Sequence, residues 1–142
     1  MDQYTKVSVH GFIKKGDKFL ITQRPTDDDY MPGFWDTPGG TINFGEKTIS
    51  ALKREIFEET GLKIKINKLI YCFDHLSNPQ RHQFTLIYDC DYLGGDVKLD
   101  PEEHQSFQWL TFRELQKLSK KIHFLSELVE YLDDEDSFYS AL

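Results

Sequence analysis

The chain has 142 residues, of which 39% are hydrophobic and 14% aromatic, so it is long and apolar enough for one folded domain over residues 1–142 rather than a disordered chain. Its formal net charge of −7 argues against a nucleic-acid polymer as the main partner, because such binding relies on a basic surface. A small anionic ligand remains compatible with this charge, since a metal ion and a few local cations can bind one.

The compartment is indicated by three further features of the sequence. The first residues, MDQYTKVSVHG, are polar and contain no apolar segment of the signal-peptide type, and no run approaches membrane-spanning length. Cys72 and Cys90 are too few for a disulfide scaffold, and we interpret both as reduced thiols in the core. We therefore expect a cytoplasmic protein with no membrane partner.

The first part of the chain predicts a β-hairpin followed by a loop. Alternating residues predict a strand over 4–13, a turn at Lys14–Asp17 and a returning strand over 18–23. Arg24 ends this hairpin at a point where an arginine side chain could bind a phosphate, although a surface arginine is an equal alternative. The loop over 26–33 contains three aspartates, which we interpret as solvent-facing turn residues.

The stretch from Gly39 to Leu62 predicts a helix over residues 47–60 with two distinct faces. Apolar residues at helical spacing predict a face packed into the core: Ile49, Leu52 and Ile56. Carboxylates spaced three and four residues apart share another face: Glu55, Glu58 and Glu59. Gly61 then provides a residue that readily adopts the left-handed conformation and ends the helix.

The clustered carboxylates predict a site for a divalent cation. A solvated acidic face is the alternative, because Arg54 lies one turn before Glu58 and offsets part of the repulsion. Gly39 and Gly40 favour the site, since their bare backbone lets a ligand approach closely, and Glu46 adds a further carboxylate. Hard oxygen ligands suit Mg²⁺, which takes few protein carboxylates and completes its shell with water and substrate phosphates.

The remainder of the chain predicts more strands and then two helices. The predicted strands cover 63–67, 69–75, 82–92 and 107–110, with a brief pairing at 97–99. The strand over 69–75 is expected to be central, because it is the most continuously apolar. Thr111 and Glu114 predict a capping box for the first helix, the second covers 122–132, and an acidic tail starts at about 133. This order predicts an α/β protein whose mixed sheet is covered by helices.

The stretch from Gly39 to Leu62 also resembles the Nudix box, G-x5-E-x7-R-E-U-x-E-E-x-G-U, in which U is a bulky aliphatic residue. Every fixed position of that pattern is matched: Gly40, Glu46, Arg54, Glu55, Ile56, Glu58, Glu59, Gly61 and Leu62. The resemblance covers about a sixth of the chain, and it implies an α/β/α sandwich built round a mixed sheet.

The resemblance implies roles for individual residues. The positions that match Glu58 and Glu59 ligate Mg²⁺ or Mn²⁺ in Nudix hydrolases, the one that matches Glu55 is a ligand or a base, and the backbone carbonyl group at Gly39 often adds a ligand. Orienting and supporting roles are implied for Arg54 and Glu46.

A further carboxylate is expected late in the chain. Many members of the family place one in a loop ahead of a strand that carries a tryptophan, which here means Glu103 or Glu102 ahead of Trp109. Spacing to Trp109 favours Glu103 as base or additional ligand, and a solvated loop glutamate is an equal alternative. His104 is interpreted as structural or exposed.

Arg24 and Gly40 are the candidate substrate-binding residues. Weaker candidates of the same kind are Lys14, Lys15, His75 and Arg81.

The resemblance implies a Mg²⁺-dependent pyrophosphohydrolase, with Mn²⁺ as the alternative cation. Its substrate would be a nucleoside diphosphate linked to a group X, cleaved to a nucleoside monophosphate, and the compact size favours nucleoside triphosphates, as in MutT-type members. An ADP-ribose or nucleotide-sugar pyrophosphatase is one alternative. A non-catalytic nucleotide-binding module is another, although such modules commonly lose box carboxylates and this chain retains all of them. The protein is expected to be a monomer or a homodimer.

Overall fold

The structure is a computed structural model that describes residues 2–134. Its strands are β1 Tyr4–Lys15, β2 Lys18–Gln23, β3 Trp35–Asp36, β4 Gly39–Thr41, β5 Lys63–Asn78, β6 Arg81–Gly94 and β7 Ser106–Thr111. Its helices are α1 Thr48–Thr60, α2 Phe112–Lys117 and α3 His123–Asp134. Within these residues, no helix is long and apolar enough to cross a membrane.

The strands form one mixed sheet with the order β3-β2-β1-β6-β5, while β4 pairs with β1 and β7 pairs with β2. The long pairing between β1 and β6 is parallel, and the other pairings are antiparallel. The predicted α/β class with a mixed sheet is therefore confirmed.

Helices cover both faces of the sheet, because successive strand residues point to opposite sides. Phe12 belongs to a core shared with α2 and α3, whereas its neighbour Ile13 belongs to the core shared with α1. In α1, Leu52 and Ile56 are fully buried, and each contributes roughly 1.5–3 kcal/mol by leaving water. Ile49 lies in the first turn of the helix and remains 41% exposed, so it adds less to this face than the sequence predicts.

The prediction of a central strand over 69–75 is wrong. Residues 63–78 form the single long strand β5, which lies at the edge of the sheet, and Leu76 is 69% exposed there. Register shifts at Ile66/Lys68 and at Leu69/Tyr71 interrupt the alternation, so one irregular strand has the sequence pattern of two. Residues 76–81, which lie between two of the predicted strands, belong to a tight hairpin between β5 and β6.

Two other expectations for this half of the chain differ from the structure. Residues 97–99 form no strand; instead the Lys98 N–H donates to the carbonyl oxygen of Thr60 at the end of α1. The capping box at Thr111 is present, and α3 includes Asp133 and Asp134. The rest of the predicted acidic tail, from residue 135 onward, lies outside the described residues.

The interpretation of both cysteines as core thiols holds for Cys90 alone, because Cys72 is exposed on the edge strand β5. We expect a thiol reagent such as dithionitrobenzoate to modify Cys72 in the native protein and to reach Cys90 only after unfolding. Burial raises the pKa of the Cys90 thiol, so little of the reactive thiolate is present. Peptide mass mapping of the modified protein, with Cys72→Ser as control, measures this. Fast native labelling of Cys90 would contradict it.

Candidate active site

The site lies where α1 ends beneath the short strand β4. β4 pairs with β1 in a register that places Gly39 opposite His10 and Gly40 opposite Val9. Gly61 ends α1 at a φ of 75°, in the left-handed region that glycine adopts without strain. Beyond the helix, the Asp100 N–H donates to the carbonyl oxygen of Glu59 over 3.0 Å, so the loop after β6 is fastened to the same end of α1.

Glu59 is the most deeply buried carboxylate of the site, at 5% exposure. Its Oε2 accepts a hydrogen bond from the Gly39 N–H at 3.2 Å and contacts His104 Nε2 at 3.3 Å. Burial lowers the pKa of His104, but the hydrogen bond to Glu59 and the charge of Glu59 outweigh it, so the pKa is raised overall. His104 is thus a buried partner of Glu59, a link that nothing in the sequence spacing indicates.

Glu55 lies directly against Gly40. A Cβ atom placed on Gly40 would come within 2.4 Å of Glu55 Oε2, so only glycine leaves room for this carboxylate. Burial raises the pKa of Glu55; the hydrogen bond from Arg54 opposes this, and the negative charges of Glu59 and Glu58 raise the pKa further. The carboxylates of α1 are therefore close enough to repel one another.

Arg54 joins the acidic side chains on this face of α1. Its Nε and Nη2 donate to the two oxygens of Glu46 at 2.8 and 2.9 Å, a bidentate pair that lowers the pKa of Glu46 to about 2. Its Nη1 donates to Glu55 at 3.0 Å and to Glu58 at 3.2 Å. These contacts are those of a residue that orients carboxylates.

Of the two candidate loop glutamates, Glu103 is the one coupled to the site. Partial burial of its carboxyl group raises its pKa, and the charge of Glu59 raises it further. Both residues lie on the exposed loop, where the Glu102 N–H donates to Asp100 Oδ1 and the Glu103 N–H donates to the Asp100 carbonyl oxygen.

The donor chemistry of the site fits a divalent cation. Glu55, Glu58 and Glu59 offer hard carboxylate oxygens, and a cation would relieve the repulsion that raises the pKa of Glu55. Among residues 2–134, no three acidic, histidine or cysteine side chains are close enough to bind one metal ion in their present conformations. The side chain of Glu58 is 56% exposed and free to rotate from Arg54, so coordination requires this rearrangement.

Arg24 borders a cavity of about 290 Å³ on the sheet face covered by α3. It donates to Asp28 at 2.8 Å and to Asp36 at 3.3 Å, so Asp28 is an ion-pair partner rather than a free turn residue. His10 also lines the cavity, and it lies opposite Gly39 in the sheet. The cavity therefore adjoins the carboxylate site at the pairing of β1 with β4.

The weaker substrate-binding candidates separate into two groups. His75 and Arg81 line the cavity, whereas Lys14 and Lys15 do not; the ammonium group of Lys15 lies 4.5 Å from the centre of the Tyr92 ring. Several other cavity residues could not be predicted from local patterns, because they come from separate elements: Lys6, Tyr30 and His123.

Residues 5–132 match the family model of the NUDIX domain. The chain belongs to the Nudix family. A MutT-like protein from Streptomyces ambofaciens is 28% identical over 127 residues, which are 89% of this chain and 77% of that protein. An ADP-ribose pyrophosphatase from Methanocaldococcus jannaschii is 33% identical over 104 residues, which are 71% of this chain and only 60% of the relative.

The crystal structure of a MutT protein from Methanosarcina mazei Go1 superposes with a TM-score of 0.83 at 23% identity, and it covers 96% of this chain and 98% of its own. This likeness confirms the Nudix fold. Family membership also confirms the predicted enzyme class, the Nudix hydrolases, which generally use divalent cations and small nucleotide substrates.

Proposed function

We propose that this Nudix protein is a Mg²⁺-dependent pyrophosphohydrolase, with Mn²⁺ as the alternative cation, acting as a monomer or homodimer. It cleaves a phosphoanhydride bond in a nucleoside diphosphate linked to X and releases a nucleoside monophosphate, with nucleoside triphosphates as the favoured substrates. The observation that carries the proposal is a complete set of box carboxylates, packed against a glycine backbone and adjoining a cavity lined by lysine and arginine side chains.

The residues of α1 and β4 would bind the cation. Glu55, Glu58 and Glu59 supply carboxylate oxygens, and the carbonyl group of Gly39 adds a further oxygen. When bound, the cation neutralises phosphate charge and polarises the scissile phosphoanhydride. Arg54 orients the carboxylates through its contacts with Glu55 and Glu58.

Residues other than the metal-binding carboxylates bind the substrate and move the proton. Arg24 and the backbone of Gly40 position the phosphates: a guanidinium group pairs with phosphate oxygens, and glycine adds no side chain of its own beside Glu55. Glu103 accepts the proton of the attacking water, since its raised pKa makes it a stronger base than an ordinary glutamate at neutral pH.

Replacing Glu103 with Gln is expected to lower kcat by roughly 10²–10⁴-fold with little change in KM, because a general base acts in the chemical step rather than in binding. Steady-state kinetics with the best substrate measure the effect. Glu102→Gln removes the adjacent, exposed carboxylate and should retain near wild-type kcat. Equal activity of the two variants would mean that Glu103 is an ordinary loop residue.

An ADP-ribose or nucleotide-sugar pyrophosphatase is the second candidate. Its support is the 33% identity to the protein named ADP-ribose pyrophosphatase. The cavity beside the box has room for part of a nucleotide in either case. A non-catalytic binding module is disfavoured, because every box carboxylate is present.

The deciding experiment is a product analysis with Mg²⁺ and then Mn²⁺. Nucleoside triphosphates, ADP-ribose, nucleotide sugars and dinucleoside polyphosphates are incubated with the protein in ¹⁸O-labelled water, and products are identified by mass. We expect a nucleoside monophosphate from a triphosphate, with the label showing which phosphorus is attacked. Cleavage of ADP-ribose alone would establish the second candidate, and no cleavage of any compound would contradict the proposal of an enzyme.

A further inference from the structure

The end of the cavity farthest from the carboxylates is built from a row of polar side chains across the sheet. Lys6 on β1 lies opposite Gln83 on β6, and Gln83 lies opposite His75 on β5. Arg81 precedes Gln83 by two residues on β6, and its Nε donates to Ser77 Oγ on β5 at 2.6 Å. All five side chains line the cavity, and we call them the distal row.

The distal row carries positive charge that no carboxylate neutralises. Within residues 2–134, neither Lys6 nor Arg81 forms an ion pair. The one acidic side chain that lines the cavity in this part of the chain, Asp36, lies 3.3 Å from Arg24 and is committed to it. The protein as a whole has a net charge of −7, so a cluster of positively charged side chains without acidic partners is not expected from its composition.

His75 supplies hydrogen-bonding capacity at the same place. Both of its ring nitrogens are buried, and neither has a partner among residues 2–134. The ring stacks on Phe73 and lies 4.6 Å from the ring of His123. A neutral imidazole offers one donor and one acceptor, and buried polar atoms without partners are rare in folded proteins.

The start of α3 borders the cavity from above. His123 and Phe124, in the first turn of this helix, are lining residues. The N-terminal end of a helix carries a partial positive charge that favours anions. The helix thus adds to the positive potential of the distal row.

We propose that the distal row binds a second anionic group, a phosphomonoester carried by the nucleoside part of the substrate. The assignment of this anion to a substrate rests on the proposed function, whereas the anion site itself does not. Lys6 and His10 are four residues apart on β1, which places the distal row about 13 Å from the end that adjoins Gly39. That separation is too long for a neighbouring phosphate of the cleaved chain, so the anion belongs to another part of the molecule.

An uncharged nucleoside fits the cavity less well. It would cover Lys6 and Arg81 without supplying a counter-charge, and covering an unpaired charge is costly. The aromatic rings of Tyr30 and Phe124 also line the cavity and offer surfaces on which a base can stack. The cavity therefore favours a nucleotide whose phosphoanhydride chain extends to the carboxylate end and whose additional phosphomonoester lies at the distal row.

The first test uses inorganic phosphate with metal-free protein in EDTA, so that turnover plays no part. We expect phosphate to shift the ring resonances of His75 and His123 in NMR spectra. Arg81→Gln and Lys6→Gln should each weaken phosphate binding by roughly tenfold, the effect of one charge-assisted contact. Arg113→Gln, which removes an exposed arginine on α2, is the matched control and should change nothing. Absence of the shifts, or equal binding by Arg81→Gln and wild type, would overturn the site.

The second test assigns the anion to the nucleoside. Calorimetry in EDTA compares the 5′-triphosphates of adenosine and guanosine with the same triphosphates that carry an additional 2′- or 3′-phosphate, because the extended triphosphate chain spans more of the distance between the two ends. At least one of these additionally phosphorylated nucleotides should bind tenfold or more tightly than its parent triphosphate, and Arg81→Gln should abolish the gain while Arg113→Gln retains it. If none of them gains affinity, the substrate assignment is wrong. A failure to hydrolyse any nucleotide would overturn the proposed function, yet it would leave both binding tests readable.

Discussion

Glu58→Gln is expected to cost about 3–4 kcal/mol of transition-state stabilisation, a loss of roughly 10²–10³-fold in kcat/KM. The amide keeps the size of the side chain but removes the charge proposed to bind the cation. The fold should persist, because this side chain is 56% exposed and its bond within the protein is to Arg54 on the same helix. Kinetics at limiting Mg²⁺ measure the loss, and calorimetric titration with Mn²⁺ measures the affinity for metal.

The matched control for this variant is Glu130→Gln, which neutralises an exposed glutamate on α3. It should bind Mn²⁺ and turn over substrate as the wild type does, with an unchanged Tm. Full turnover by Glu58→Gln at limiting Mg²⁺ would refute the assignment of Glu58 as a ligand. If excess Mg²⁺ restores the activity of Glu58→Gln, the defect lies in metal binding rather than in folding.

Alanine at Gly39 and at Gly40 is expected to separate stability from activity. A Cβ atom on Gly39 would lie 2.1 Å from the carbonyl oxygen of Val9, so backbone must move and the pairing of β4 with β1 is strained. Gly39→Ala should therefore lose at least about 1–3 kcal/mol of unfolding free energy, as overpacked sites do. On Gly40 the nearest atoms belong instead to the carboxylate end of Glu55, which can rotate away.

Gly40→Ala should accordingly keep most of its stability and lose roughly 10²-fold in kcat/KM, because Glu55 no longer occupies its place beside the backbone. Urea unfolding and steady-state kinetics measure the two effects. Gly94→Ala is the matched control, since a Cβ atom there meets nothing within 4 Å. If Gly40→Ala were as active as wild type, the position of Glu55 would not matter for the reaction.

Local patterns were sufficient to predict the box helix and the capping box at Thr111. Both features depend on residues only three or four positions apart. In a helix, residues at this spacing lie on the same face, so the sequence alone shows which side chains are neighbours. The prediction for β5 failed for the opposite reason. Its bulges are shifts in the register of its pairing with β6. The break in alternation therefore cannot be interpreted as a bulge until that pairing is known.

The box carboxylates could be predicted because they are neighbours in sequence, and Glu103 because the resemblance places a carboxylate ahead of Trp109, but contacts between distant residues could not be predicted. Glu59 and His104 are 45 residues apart, and the loop bonds that fix Glu59 bring them together. Arg24 was a candidate from its position at a strand end, but its ion pair with Asp36 depends on the alignment of β2 with β3. The distal row is harder still, because it joins three strands whose order no local pattern specifies.

The parallel pairing of β1 with β6 has a consequence for how the protein reaches its native state. Tyr4 lies opposite Arg81, so the centre of the sheet is completed only after more than half of the chain is available. Contacts so distant in sequence slow folding, whereas the β5–β6 hairpin can form early from neighbouring residues. We expect refolding to proceed from this hairpin, with docking of β1 as the slow step. Stopped-flow fluorescence of a Val7→Ala variant, which truncates a β1 residue opposite Phe84 of β6 and leaves the β5–β6 hairpin unaltered, should then show slower refolding, and an unchanged refolding rate would refute this order.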